Sequence, residues 1–185
     1  MVILVVLVIS VQGCNSTSGK AVTAALPQKY YLKNNIHAQA GAHDTKASYA
    51  NWTDPGTGHF VIPVNTPVEF ERFRKGLVIK DLSDGRIIYF EYNSKSMGMS
   101  AEEYIHIIAS PNKLSLEGLS SIDQKGINEG KVRTGMTKNG VRIALGYPAA
   151  HKTPSLESNT WIYWRNRFRT MAVEFGDDGK VKTIR

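Results

Sequence analysis

The sequence predicts an α+β chain: a small β-barrel-like unit first, then a unit of two helices followed by a three-stranded antiparallel sheet. Three observations carry this. Between residues 30 and 93, short apolar–polar alternations recur with turn signals between them. Between residues 100 and 146, three stretches place apolar residues at helical spacing between capping residues. From residue 160 onward alternation returns around a Gly-Asp-Asp-Gly turn. A hydrophobic fraction of 42% with 21% charged residues suits a chain that buries a core.

The chain opens on an apolar run, Val2–Val11, interrupted only by Ser10. A membrane-crossing helix needs about 20 such residues. The run instead has the length of a signal-peptide core. No Lys or Arg follows Met1, so either the signal is a weak one or translation starts upstream. The sole cysteine, Cys14, comes next, after Val11-Gln12-Gly13. It has no partner for an intrachain disulfide. A structural zinc site needs about four ligands, and a catalytic thiol needs a base in a structured setting. The stretch resembles a bacterial lipobox, with Gly13 as the small residue before the cut and Cys14 as the acylated first residue. Several acyl chains hold a protein to a bilayer at about 0.8 kcal/mol per buried CH₂. Residues 1–13 are therefore read as a signal peptide and 14–29 as the lipidated cysteine and a flexible tether of small polar residues. Asn15, rather than Asp, after the cysteine implies sorting to the outer membrane.

Residues 30–113 form the β-rich unit. "KYYLKNNIHAQ" reads as one strand, followed by a loop rich in Asp, Gly and Thr. Val68, Phe70 and Arg72 alternate with Glu69, Glu71 and Phe73, and Leu77–Leu82 is a further strand. Asp84-Gly85 is a tight turn, after which Ile88, Phe90 and Tyr92 share a face. "SAEEYIHIIASP" is a short helix: Ser100 and Glu103 make a capping box, Tyr104, Ile107 and Ile108 an apolar face, and Pro111 a stop.

Residues 114–185 form the second unit. "SSIDQKGINEG" is a helix with Ile122 and Ile127 as apolar points and Gly130 as its stop. In "MTKNGVRIALGYP", Thr137 is the N-cap, Val141 and Leu145 lie one turn apart, and Gly146 takes the left-handed C′ position before Pro148. Gly140 inside this helix costs about 1 kcal/mol against Ala. Strands follow: Trp161 and Tyr163 alternate with Ile162 and Trp164, and Met171, Val173 and Phe175 share a face.

The frame Gly135-Met136-Thr137, Val141, Leu145-Gly146, Pro148, Trp161, Tyr163, Val173-Glu174-Phe175 and Asp178-Gly179-Lys180-Val181 resembles the SmpA/OmlA/BamE family of small outer-membrane lipoproteins. The likeness covers about Leu119–Arg185. It implies two helices packed on three strands, no catalysis, and a place in the cell envelope. Gly140 departs from the acidic or amide residue usual ahead of the valine. The β-rich block before Leu114 has no counterpart in the family.

A formal charge of +7 favours anionic partners. The five histidines, His37, His43, His59, His106 and His151, match no ligand spacing, though His37, His43, His59 and Asp44 can converge; no metal or cofactor is expected. Neither a Gly-x-Ser-x-Gly elbow nor a complete dinucleotide loop is present, so the chain is read as not an enzyme. "WIYWRNRFRTM" stands out. Arg165, Arg167 and Arg169 alternate with aromatic residues at a hairpin tip, with Tyr163 as aromatic neighbour. Such a set suits membrane interfaces and protein hot spots, and a secreted protein meets no nucleic acid. The expected function is that of a lipid-anchored outer-membrane protein facing the periplasm. It would work as a non-catalytic binding or scaffolding module, accessory to outer-membrane protein assembly. Its partners would be the membrane through the anchor, and envelope proteins or anionic lipid head groups. The second reading is an inhibitor-like or sensor protein whose β unit binds a peptide or cell-wall fragment.

Overall fold

A computed structural model describes residues 29–73 and 76–185. Residues 1–28, which include the stretch read as a signal peptide, Cys14 and nearly all of the stretch read as a tether, lie outside the described residues. Among those described, no helix is long and apolar enough to cross a membrane.

The first unit is a large curled sheet. Its strands are β1 (Tyr30–Leu32), β2 (Ile36–Ala40), β3 (Thr45–Ser48), β4 (His59–Ile62), β5 (Pro67–Phe73), β6 (Gly76–Asp81), β7 (Ile87–Glu91) and β8 (Ala109–Ser110). They lie in the order β4-β2-β3-β7-β6-β5-β1-β8. Two links show why the sheet must curl. In that order β1 and β2 are five strand spacings apart, about 24 Å in a flat sheet. Yet residues 33–35 alone join them, a reach of about 14 Å. The link from β4 to β5, residues 63–66, spans the same five spacings with a reach of about 18 Å. The two ends of the sheet are thus drawn together around one core, the barrel-like form expected.

Two details differ from the expectation. "KYYLKNNIHAQ" is two strands, because Asn34 and Asn35 turn inward and are buried. The polar loop after it contains β3, which pairs antiparallel with β2 and parallel with β7. Ala47 is its one buried apolar residue, too little to mark a strand in the sequence.

Ile79, Ile88, Leu77 and Phe90 line the inner face of the sheet. The helices α1 (Ser94–Met97) and α2 (Ala101–Ile108) close that core. The capping box forms as expected: Ser100 Oγ accepts from Glu103 N at 3.2 Å, and Glu103 Oε2 accepts from Ser100 N at 2.7 Å. Tyr104, Ile105 and Ile108 are buried, whereas Ile107 sits at the flank of that face and stays partly exposed.

The second unit holds α3 (Ser121–Glu129), α4 (Lys138–Leu145) and the sheet β11-β10-β9, built from β9 (Thr160–Trp164), β10 (Thr170–Phe175) and β11 (Val181–Ile184). This is the order the sequence predicts. Val141, Ala144, Leu145, Trp161, Tyr163 and Val173 are among its buried core. Thr137 is the N-cap of α4, accepting from Gly140 N at 3.0 Å. Gly146 ends α4 with φ 80° and ψ −171°, which is not the left-handed helical cap expected. The extended ψ sends Tyr147–Ala150 back toward the first unit, where Ala149 joins its core.

A polar seam joins the units, and it forms where α4 ends. The last carbonyls of a helix lack partners within it. Here the first unit supplies them. Asn35 N donates to Ile143 O at 2.8 Å, and Asn35 Nδ2 donates to Ile127 O at 2.7 Å and Ala144 O at 3.3 Å. Asn35 Oδ1 in turn accepts from Val64 N at 2.8 Å. His37 Nε2 lies 3.1 Å from Ala144 O, and Asn51 Nδ2 donates to Tyr147 O.

Candidate functional site

The tip of the β9–β10 hairpin is built by its flanking pairs. Tyr163 opposes Met171, and Trp164 opposes Thr170. Arg165 N then donates to Arg169 O at 2.8 Å. Asn166 Oδ1 accepts from Phe168 N at 2.9 Å and Arg169 N at 3.0 Å, fixing the turn. The structure brings Arg165, Arg167 and Arg169 to this one exposed tip, beside Phe168 at 87% exposure. Arg165 faces Asp54 at 3.8 Å, while Arg167 and Arg169 have no ion pair among the described residues. Backbone bonds Thr53 N to Trp164 O at 2.9 Å and Asp54 N to Arg165 O at 2.8 Å tie the hairpin to the first unit.

Tyr163 does not belong to this surface. It is 1% exposed, and its hydroxyl donates to Gly146 O at 3.0 Å. Burial pushes its pKa well above the usual tyrosine value. Tyr163 shares the inward face of β9 with Trp161 and braces the hairpin against α4, whereas the arginines lie in the turn beyond the strand, where the alternation has ended.

A cleft of about 400 Å³ lies between the units, lined by Thr53, Asp54 and His59 from the first and Lys131, Leu145 and Arg165 from the second. Behind His59 stands His37, which is buried. Their rings are nearly coplanar, with His37 Nδ1 3.0 Å from His59 Nε2. A carbonyl can only accept, so Ala144 O assigns the proton of His37 to Nε2. His37 Nδ1 is then the acceptor and His59 Nε2–H the donor. Burial pulls the His37 pKa from 6.5 to about 4, a shift the bond to Ala144 opposes and His59 reinforces. Burial also lowers His59, with Asp54 opposing and Lys131 adding to the shift.

Of the histidine set that could converge, the structure unites His37 and His59. His43 stands exposed in the turn before β3. Among the described residues no three His, Cys, Asp or Glu side chains are placed to hold a metal ion. The pair is instead a pH-dependent part of the seam. Between pH 6.5 and about 4 the unfolded chain binds a proton at His37 that the folded chain refuses. Stability is therefore complete above about 6.5 and falls with acidification, by about 3 kcal/mol at most from this group. Urea unfolding at pH 7 and pH 4.5 should show the loss, and His37→Gln should flatten the dependence across that interval.

Sequence reasoning missed the seam and one further group. Asp123, 1% exposed, joins the two helix starts. Its Oδ2 accepts from Ser120 Oγ at 2.8 Å and Thr137 Oγ1 at 3.2 Å, and its Oδ1 accepts from Thr137 N at 2.8 Å. The sequence signal was present, since Asp three residues after Ser is a capping pattern, but its reach to Thr137 was not.

The geometry thus offers two closed cores, a cationic tip tied to the first unit, and a cleft between the units. The comparisons carry this further: residues 125–185 match the model of the outer membrane protein assembly factor BamE domain. The matched stretch is about a third of the chain and falls within the C-terminal unit, where the motif frame places the resemblance. No curated protein and no solved structure matches the chain.

Proposed function

We propose that the protein is a lipid-anchored, periplasm-facing outer-membrane protein that works as a non-catalytic binding or scaffolding module, accessory to outer-membrane protein assembly. In this reading 30–113 and 114–185 are its two units. The match of residues 125–185 to an outer-membrane assembly domain supports the placement. The observation that carries the binding role is the tip, where three arginines and Phe168 stand exposed on that domain. Like charges crowded on a turn repel, and an anionic partner relieves this. Arginine can bind carboxylate or phosphate in a bidentate fashion.

Replacing Arg165, Arg167 and Arg169 by Gln should leave the thermal midpoint nearly unchanged. The one ion pair lost is exposed, and such pairs contribute about 0–1 kcal/mol. The triple variant should lose salt-sensitive binding to phosphatidylglycerol vesicles, or lose envelope proteins recovered by pull-down from detergent-solubilised membranes. Each arginine should contribute about 1 kcal/mol at a membrane surface. A wild-type protein that binds neither would end this reading. The anchor is tested separately. Cys14→Ser should move the protein from the membrane fraction to the soluble one, and persistence after a salt wash would refute acylation.

A further inference from the structure

On its outer face the first unit carries a ring-lined groove that shares only Arg167 with the hairpin tip of the proposed function. It has a volume of about 800 Å³ and is lined chiefly by Trp52, Phe73, Tyr89, Glu91, Lys46 and Arg167. Phe73 and Tyr89 are 51% and 40% exposed, with ring centroids 5.6 Å apart. They belong to β5 and β7, with β6 between them. Phe73 pairs across to Gly76, and Gly76 to Glu91. No side chain on Gly76 separates them, and a Cβ there would lie 2.1 Å from Phe90 O. Trp52 reaches the groove on strained backbone: Asn51 has φ 67° and Trp52 φ 21°. Non-glycine residues hold such angles only where their surroundings enforce them, often at binding sites. Arg167 arrives from the other unit.

We infer that this groove binds a glycan chain, through the rings of Trp52, Phe73 and Tyr89 and the hydrogen-bonding groups of Glu91, Arg167 and Lys46. Sugar rings present flat C–H faces to aromatic rings and vicinal hydroxyls to charged side chains, and the groove offers both. Other occupants fit less well. The floor strands β3, β7, β6 and β5 are all interior to the sheet, so their backbone groups are already paired and a peptide strand gains no ladder. Among the described lining residues the charged groups are Lys46, Arg167 and Glu91; Lys46 is paired with Asp44 at 3.0 Å, and Glu91 Oε2 accepts from Ser48 Oγ at 3.1 Å. That balance is too even for a phosphate polyanion or an anionic bilayer, which call for an excess of cations. It suits a hydroxyl-rich chain with few or no carboxylates.

The test is calorimetric titration of the full chain with chitohexaose, a neutral β-1,4-linked glycan, and with peptide-free peptidoglycan strands, which carry carboxylates. Saturable binding of either supports the inference, and the stronger of the two identifies the source. Tyr89→Leu and Phe73→Ala alter exposed rings. Each should weaken binding about tenfold with the thermal midpoint unchanged. Arg169→Gln, which spares the groove, should leave glycan binding intact while weakening the contacts of the hairpin tip, so the two readings fail separately. The inference is overturned if neither glycan binds, if the ring variants bind as the wild type does, or if an unstructured peptide displaces the glycan.

Discussion

Gly140→Ala should destabilise the protein by about 3 kcal/mol, although helix propensity alone predicts a gain of up to about 1 kcal/mol. The reason lies in α3. A Cβ on Gly140 would stand 2.0 Å from Asp123 Oδ1 and 2.5 Å from its Cγ. Asp123 cannot simply swing away, because it accepts hydrogen bonds from Ser120 and Thr137 that satisfy both helix starts. Either the carboxylate moves and loses charge-assisted bonds of about 1.5–3 kcal/mol, or the helices separate and loosen the packing behind them. Chemical denaturation of the single variants and of the double variant with Asp123→Ala provides the check. The double variant should cost less than the sum of the singles, because removing the carboxylate removes the clash. A neutral or stabilising Gly140→Ala would show that the helix pair yields freely.

Asn35→Ala should cost about 3 kcal/mol. Its amide serves both units. Removal leaves Val64 N without the partner seen here, a loss of about 1–3 kcal/mol, and takes from Ile127 O one of its two donors, the other being Gly130 N at 3.1 Å. Ala144 O keeps His37. The loss should appear in the transition of each unit, followed by fluorescence for the tryptophan-rich C-terminal sheet and by near-ultraviolet dichroism for the N-terminal tyrosines. A loss confined to the first unit, with the C-terminal unit unchanged, would show that the seam does not couple them.

Much of the fold was legible because it is encoded locally. Ser100 and Glu103 cap α2, Thr137 caps α4, and Gly-Asp-Asp-Gly turns β10 into β11, each through contacts a few residues apart. Trp161 and Val173 alternate inward because a strand has period two. The same period sets Tyr163 beside Trp161 in the core, apart from Arg165, Arg167 and Arg169, which are exposed because they lie in the turn beyond β9. The frame from Gly135 to Val181 was specific enough to identify the domain type.

What the sequence left open depends on residues far apart in the chain. Nothing local distinguishes Asn35 from a surface asparagine; it is buried because the carbonyls at the end of α4, more than 100 residues away, need donors. β3 exists only because β2 and β7 flank it. Gly140 is a poor helix residue by propensity and a required one beside Asp123. His37 and His59 are loop-like polar residues until the curl of the sheet sets them ring to ring. The sequence by itself determined the elements, their caps, their inward faces and the cationic tip, since these follow from periodicity and short-range hydrogen bonding. The tertiary structure alone decided how the two units join, where the cleft and the groove lie and which glycine is indispensable, since those depend on steric fit and on satisfying buried polar groups across long separations.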